Sequence, residues 1–409
     1  MKANHILFLS LLTSSLLFAD DIFSIDVKND TTGDRFTHTT NDIMDVIDTV
    51  DEDSISSHFD YKDSHQITAN LDFRGLPMSL KFAENSTILE LDVPDIEISE
   101  TFDGGTREES IRLLQDWFKN NNKGNIEKIM RELARVSPVD PIAGNPNSLM
   151  ATMVEDDFTT GFHKVATRQK GMTDKKFIII APVYKSFDID GKKSDNFVLP
   201  LGYSFEVGDN PKEMVTLSLP LSYVSVEGAK SYSAGLGASY SFPVNNEWVL
   251  TPSAKYSIVG SKNLGTLAQM VGGSLTSSYT LDLGGRQAIS LGNMVGYYST
   301  VKMYDGEYAF DPKIRNTVFR NGLMYSTPSD KIYKNTSMDF FVIDTRYIGT
   351  DLFMENYEEI GVSFGFNKEV MNLTAKEDSY EYEDELKLGV SYLTSAKADG
   401  FEINFGYSF

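Results

Sequence analysis

The chain has 409 residues, no cysteine and a formal net charge of −22. A mean hydropathy of −0.25 excludes a protein built from membrane helices, and the absence of cysteine excludes disulfide frameworks and thiolate metal sites. Residues 20–105 hold 21 acidic against 5 basic side chains, a local balance of −16 that argues against nucleic-acid binding there.

The first residues predict a cleaved secretory signal. Lys2 supplies a positive start, residues 6–12 and 16–18 are apolar, and Ala19 precedes a run of acids. This apolar stretch is too short to span a bilayer, so we expect residues 1–19 to be removed. Leu17, at the −3 position relative to the expected cleavage point, departs from the small residue that is usual there. No later segment approaches 18 consecutive apolar residues. A mature chain that meets a membrane is therefore expected to do so with strands.

Residues 20–136 predict a small, acidic α+β region. Residues 42–53 mix five aspartates with apolar residues, but they lack the pattern of a twelve-residue calcium loop, so a solvated amphipathic segment is the better interpretation. Residues 67–73, 78–82 and 88–93 alternate apolar and polar side chains, and residues 94–102 could add a fourth run. This alternation predicts a small antiparallel sheet.

Two helices are expected after the sheet. Thr106 and Glu109 have the spacing of a capping box, in which each side chain satisfies a free amide of the other. Apolar residues then recur at helical spacing on either side of a break at residues 120–124: Ile111, Leu114 and Phe118, then Ile126, Ile129, Met130 and Leu133. We expect these stripes to pack against the sheet rather than against a membrane surface.

Residues 137–175 predict a linker that contains a short helix. Pro138, Pro141, Gly144 and Pro146 stiffen its first part. Ser148 can cap a helix over residues 149–158, after which the chain is polar and unpatterned up to residue 175.

The last nine residues alternate strictly, with apolar or aromatic side chains at every odd number. Side chains on a strand alternate between its two faces, so this segment has one apolar face. An amphipathic strand that ends on an aromatic residue resembles the closing strand and assembly signal of bacterial outer-membrane barrels, although an edge strand of a soluble sheet is the alternative. The residues of the apolar face are Phe401, Ile403, Phe405, Tyr407 and Phe409.

The same ending recurs upstream at intervals of 37 to 46 residues, with central aromatics at Tyr203, Tyr240, Tyr279, Tyr325, Phe364 and Tyr407. That period is the length of one hairpin with its loop, so six copies predict six hairpins. The content of 20 Tyr and 26 Phe suits aromatic girdles. We predict a transmembrane antiparallel β-barrel of about twelve strands in residues 176–409. The expected strands are 177–186, 196–206, 213–224, 231–242, 247–259, 267–281, 286–301, 314–326, 337–348, 357–366, 384–393 and 399–409.

An even number of strands returns both barrel ends to one side of the membrane, which for such barrels is the periplasm. Short links at residues 243–246 and 282–285 agree with periplasmic turns, and residues 187–195 and 302–313 are expected to form longer outer loops. The link at residues 367–383 disagrees, because it is long and acidic on the expected periplasmic side.

The order of these parts along the chain resembles that of solitary, autotransporter-like outer-membrane barrel proteins: a signal, a helical segment, residues 140–150 and a barrel. The resemblance covers most of the mature chain, but no long repetitive passenger is present. It implies location in the outer membrane of a Gram-negative bacterium, contact with outer-membrane lipid, and insertion by the barrel-assembly machinery through the C-terminal strand. It leaves the oligomeric state open.

The alternation also assigns facing inside the barrel. In the fourth predicted strand, Tyr232 and Leu236 would face lipid while Gly235 and Ser239 face the lumen. A twelve-stranded lumen lined with Gly and Ser should have spare room, unless small residues only relieve crowding where strands curve. Water or residues 148–162 would fill it. The candidate luminal residues are Ser148, Leu149, Met150, Met153 and Phe158.

Enzymatic chemistry is not expected, nor is a cofactor or metal. The five histidines all precede the predicted barrel, which deprives it of the usual base near pH 7. His58 and His65 show no recognisable ligand spacing. Two functions remain: an autotransporter-like anchor that houses or carries its own N-terminal region, and a narrow porin for small solutes. A selective porin should line its lumen with charge of one sign, so Gly and Ser favour the anchor.

Overall fold

The structure is a computed structural model. It describes residues 22–49, 52–119, 124–163, 176–207, 212–305, 308–334, 336–367 and 384–408. The predicted signal, the acidic link after residue 367 and Phe409 therefore lie outside the described residues.

The N-terminal region contains a six-stranded antiparallel sheet in the order β2-β1-β3-β4-β5-β6. Its strands are β1 Phe23–Asn29, β2 Arg35–Thr40, β3 Ile67–Phe73, β4 Leu76–Phe82, β5 Ile88–Val93 and β6 Ile98–Asp103. The four strands expected from residue 67 onward are present. The first two were missed, although Phe23, Ile25 and Val27 alternate on the buried face of β1. Strand β2 has only Phe36 as an apolar residue and gives no such signal.

In the described part of the chain, five α-helices accompany this sheet and the linker: α1 Ile43–Thr49, α2 Glu52–His58, α3 Arg107–Lys119, α4 Asn125–Val136 and α5 Leu149–Phe158. Helices α3 and α4 cover one face of the sheet, as expected, with Leu114, Trp117 and Leu133 buried against it. Thr106 Oγ1 accepts the amide of Glu109, but the Glu109 carboxylate turns to Arg112, so only half of the expected capping box forms. Phe118 is partly exposed and makes an edge-to-face contact with the ring of Trp117 (4.9 Å between ring centres). Among the described residues, no helix combines the length and apolar character needed to cross a membrane.

The rest of the chain forms a closed, twelve-stranded antiparallel barrel, which confirms the predicted fold. Its first strand is split at residues 181–182, and the last strand pairs with both halves to close the barrel. The bounds are β7 Lys176–Ile180 with β8 Val183–Ile189, β9 Lys192–Glu206, β10 Met214–Val226, β11 Ala229–Pro243, β12 Trp248–Ser261, β13 Thr266–Gly284, β14 Gln287–Val301, β17 Arg315–Pro328, β18 Thr336–Gly349, β19 Asn356–Asn367, β20 Asp384–Thr394 and β21 Ala398–Ser408; a small hairpin, β15 Met303–Asp305 and β16 Tyr308–Phe310, lies between β14 and β17.

Side chains alternate between an exposed outer face and a buried inner face along each strand. On β11, Leu236 is 64% exposed whereas Ser241 is 2% exposed. Exposed apolar residues recur at outward positions around the wall, including Ile360 on β19 and Val390 on β20. A closed barrel with an apolar outer surface and no free edge satisfies every strand hydrogen bond internally, as a membrane-spanning structure requires.

The expected difference in loop length between the two sides was wrong at residues 187–195. Strand β8 continues to Ile189 and β9 begins at Lys192, so only Asp190 and Gly191 form the turn. Both have positive φ, 52° and 82°, and the Asp188 carboxylate accepts the Gly191 amide. Such Asp-Gly turns suit the twist of a hairpin. The prediction began the second barrel strand at residue 196, whereas residues 192–195 already belong to it.

Candidate functional site in the barrel lumen

The barrel has two mouths that differ in what lies there. We call the end where β7 begins and β21 ends the near mouth. The opposite end, the far mouth, carries the turns β8–β9, β10–β11, β12–β13, β18–β19 and β20–β21, together with the loop that contains β15 and β16.

The N-terminal region rests on the far mouth. Asn41 donates to the carbonyl of Glu227 (2.6 Å), in the β10–β11 turn, and the amide of Ile43 donates to the carbonyl of Asn263 (2.9 Å), in the β12–β13 turn. On another side, Arg131 of α4 donates to the carbonyl of Pro312 (2.9 Å). The region is thus fixed to several turns of the same mouth.

Arg74 joins three parts of the molecule at this mouth. Its guanidinium pairs with Asp140 of the linker (3.2 Å) and donates to Thr266 Oγ1 (2.8 Å) and the carbonyl of Leu264 (3.2 Å) in the β12–β13 turn. Both charged side chains are almost fully buried. Burial raises the pKa of the Asp140 carboxyl and lowers the pKa of Arg74, while their mutual attraction opposes both shifts.

The linker enters the lumen through a compact turn that is held by hydrogen bonds among its own residues. Asp140 Oδ1 accepts the amides of Ile142 (2.8 Å) and Ala143 (3.2 Å), and the Asn145 side chain donates to the carbonyl of Asp140 (2.7 Å). Gly144 has φ of 94° and lies against the backbone of α4, where a Cβ would not fit. Buried backbone groups need such partners, because water is excluded there.

From this turn, residues 141–163, which we call the luminal segment, run into the barrel. Ser148 caps α5 by accepting the amide of Ala151 (3.4 Å). Leu149, Met150, Met153 and Phe158 are all buried in one cluster with inward side chains of the barrel wall; those of the wall include Met270, Met294, Val318, Phe341 and Ile343. The five candidate residues therefore lie together inside the barrel.

Two lysines of the wall meet the acidic residues of α5. Lys185 of β8 pairs with Glu155 of α5 and, at 3.3 Å, with Glu402 of β21. Lys255 of β12 pairs with Asp156 and, at 3.1 Å, with Asp157. Because both lysines are buried, each depends on these carboxylates for compensation of its charge.

Asp157 is also held by neutral groups of the wall. Tyr298 of β14 donates to its Oδ2 (2.6 Å) and Ser253 of β12 donates to its Oδ1 (2.6 Å). The carboxylate is thus bonded to two different strands. This arrangement fixes both the height and the rotation of α5 in the lumen.

Arg320 of β17 connects the helix to the other side of the wall. Its guanidinium lies 5.2 Å from the centre of the Phe158 ring and pairs with Glu359 of β19 (2.9 Å). It also donates to Thr345 Oγ1 (2.7 Å) and the Tyr357 hydroxyl (3.3 Å). A buried guanidinium over an aromatic face adds a favourable cation–π contact.

Glycines of the wall receive the aromatic rings of the segment. A Cβ on Gly292 would lie 2.5 Å from the ring of Phe162, and a Cβ on Gly322 would lie 2.9 Å from Phe158 and 3.1 Å from Phe162. Real side chains do not approach so closely, so both positions require glycine while the rings are in place. The wall and the segment are complementary in shape.

The expected lining of Gly and Ser is therefore wrong for much of the lumen. Hydroxyls do line the wall towards the near mouth, where Ser204 pairs with Thr216 and Ser241 with Thr251. Closer to the far mouth, the inner wall carries charged, aromatic and aliphatic side chains. The charged residues were missed, although alternation could have assigned Lys185, Lys255 and Arg320 to inward positions next to exposed outward neighbours.

The C-terminal strand places its apolar face outward. Phe401, Ile403 and Phe405 are exposed on β21. The backbone of Tyr407 pairs with Ile180 of β7, while its side chain and Phe409 fall outside the description. Across the described ranges, no group of three His, Asp or Glu side chains is placed to hold a metal ion.

These features define the class of the protein as a transmembrane β-barrel whose lumen is occupied by its own chain. No family model matches the sequence, and no curated protein matches it. Among solved structures, it is similar to the β domain of the Bordetella autotransporter BrkA, with 11% identity and a TM-score of 0.43 over 58% of this chain and 99% of that one.

Two further structures show the range of similar barrels. The translocator domain of NalP from Neisseria meningitidis is 10% identical over 64% of this chain and 95% of that one, with a TM-score of 0.42. The KdgM porin is 12% identical over 56% and 99%, with a TM-score of 0.32. Both autotransporter and porin barrels are thus represented, and at these values function has to be inferred from this chain's own residues.

Proposed function

We propose that this protein is an outer-membrane anchor that holds its own N-terminal region at the far mouth of a closed barrel. The observation that supports this most is the luminal segment, which joins that region to the barrel wall and packs into it. The chain would thus thread its own barrel, with the N-terminal region on one side of the membrane and both barrel ends on the other. The C-terminal strand would serve assembly.

The inner wall supports a permanently occupied lumen. Met270, Met294 and Phe341 of the wall are buried in one cluster with the luminal segment. Departure of the segment would expose apolar surface to water, with a free-energy cost of roughly 25 cal/mol per Å². It would also leave Lys185 and Lys255 without their helix partners, and breaking a buried pair typically costs about 3–5 kcal/mol.

A narrow porin is the alternative function, and the charges of the lumen test it. The inner wall carries charges of both signs, from Lys185, Arg320, Glu359 and Glu402. A selective pore would be expected to favour one sign of charge. The described arrangement therefore supports the anchor better than the porin.

Single-channel conductance in a planar bilayer tests this proposal on the full chain. We expect the unmodified protein to be closed, and a variant with Glu155→Gln, Asp156→Asn and Asp157→Asn to show openings, because its α5 no longer pairs with Lys185 and Lys255. Glu358→Gln, which changes an exposed carboxylate on the outer wall, is the matched control and should stay closed. Steady conduction by the unmodified chain, unchanged in the triple variant, would reject the anchor in favour of the porin.

A deletion series separates the segment from the N-terminal region. A chain without residues 20–136 keeps the luminal segment and should remain closed, whereas one without residues 20–163 should conduct. If both deletions conduct equally, the N-terminal region rather than the segment closes the barrel. If the longer deletion is folded but closed, side chains of the wall alone fill the lumen.

A further inference from the structure

Two asparagines face outward in the middle of the apolar belt of the barrel. Asn293 on β14 and Asn321 on β17 are both exposed and lie directly opposite each other in the strand register. Their neighbours on the same outer faces are exposed and apolar: Leu291 and Val295 on β14, and Phe319 and Leu323 on β17. Polar side chains at such positions are costly, because lipid chains offer no hydrogen bonds.

A single hydrogen bond joins the two side chains, and it uses one of their two amide nitrogens and one of their two amide oxygens. Asn293 Nδ2 donates to Asn321 Oδ1 at 2.8 Å. Within the described part of the chain, neither the amide oxygen of Asn293 nor the amide nitrogen of Asn321 has a hydrogen-bond partner. One acceptor and one donor group therefore point into the membrane side by side.

The polar residues opposite this pair differ from it because they have side-chain partners of their own. Ser277 of β13, opposite Asn293, accepts from the Trp248 indole (2.9 Å). Asp344 of β18, opposite Asn321, pairs with Arg346 (3.1 Å). Both neighbours thus have a side-chain partner outside the pair, whereas in the described part of the chain the two asparagines bond only to each other.

We propose that Asn293 and Asn321 form the centre of an interface between two copies of this chain in the membrane. A two-fold axis along the membrane normal places Asn321 of each copy over Asn293 of the other. The free amide nitrogen of one then meets the free amide oxygen of its partner, twice. The pair is thus complementary to itself, which an isologous interface requires, and asparagine bonds of this kind hold membrane segments together.

The mass of the purified full chain in mild detergent, measured by native mass spectrometry over a range of concentrations, tests the proposal. We expect a dimer for the unmodified protein. Asn293→Leu combined with Asn321→Leu should raise its dissociation constant about tenfold or more, because it removes both amide hydrogen bonds across the interface. Both substitutions face lipid, and the heat-dependent gel mobility of the barrel checks that the variant is folded.

Cross-linking in native outer-membrane vesicles tests the same interface in lipid. Because the chain has no cysteine, Leu291→Cys, next to Asn293, provides a single thiol for a short bis-maleimide. Leu217→Cys is the matched control, because Leu217 is 48% exposed against 46% for Leu291 and both lie close to the near-mouth end of their strands. Leu217 is on β10, which is four strands away from β14. We expect dimers from Leu291→Cys only, and fewer when the two asparagines are also replaced.

Three results would overturn the proposal. A monomeric mass at every concentration, together with no cross-linking in vesicles, would exclude a dimer. Equal cross-linking at Leu217→Cys would indicate random collision. A cross-linked product heavier or lighter than two copies would assign the surface to a different protein.

Discussion

Arg74 shows how a single residue can hold three parts of the chain together. It lies in the β3–β4 turn with φ of 59°, and its guanidinium bridges the linker and the β12–β13 turn. Nothing in the sequence pattern distinguishes it from a solvated turn residue, because its partners lie 66 to 192 positions away. Such contacts depend on tertiary structure and could not be predicted from local sequence.

We expect Arg74→Met to destabilise the docked N-terminal region by about 3–5 kcal/mol, because it leaves Asp140 buried and charged without its partner. Urea unfolding followed by Trp117 fluorescence measures this, since Trp117 is buried in that region. The double variant Arg74→Met with Asp140→Asn should recover part of the loss, because it removes the unpaired charge. If the double variant is as unstable as the sum of the singles, packing rather than the ion pair explains the effect.

At the scale of elements, strands were predicted far better than the contents of the lumen. The aromatic repeat and the alternation indicated all twelve barrel strands, because a barrel wall between lipid and lumen imposes that alternation on every strand. The same pattern reports only polarity and size at an inward position. It could not show that Gly292 and Gly322 lie against phenylalanine rings of the luminal segment, more than a hundred residues earlier.

This complementarity predicts that Gly292→Ala displaces the luminal segment. The added Cβ would lie 2.5 Å from the ring of Phe162, and overpacking of this kind typically costs about 1–3 kcal/mol. Faster hydrogen exchange in α5 is the expected result. Gly273→Ala is the control, because Gly273 is exposed on β13 and a Cβ there meets its nearest neighbour at an ordinary 3.5 Å. Equal exchange in the two variants would show that the ring does not hold the segment.

At the scale of the whole molecule, the N-terminal region and the start of the barrel lie at opposite mouths. The order of regions along the sequence could be predicted from composition, but the side of the barrel on which residues 22–136 lie could not. Contacts decide this: Asn41, Arg74 and Arg131 all bind turns of the far mouth, while β7 starts at the near mouth. Turn lengths are a poor guide here, because several far-mouth turns are as short as those of the near mouth.

If the barrel ends face the periplasm, the N-terminal region lies on the cell surface. Single-cysteine variants of this cysteine-free chain measure this in intact cells with a membrane-impermeant maleimide. Ser99→Cys, at an exposed position of β6, should react at once, whereas Val244→Cys, exposed in the β11–β12 turn of the near mouth, should react only after the outer membrane is permeabilised. The reverse pattern would place the N-terminal region in the periplasm and would leave the barrel as an anchor of opposite orientation. Reaction of both sites in intact cells would mean that small reagents pass through the barrel, which the occupied lumen should prevent.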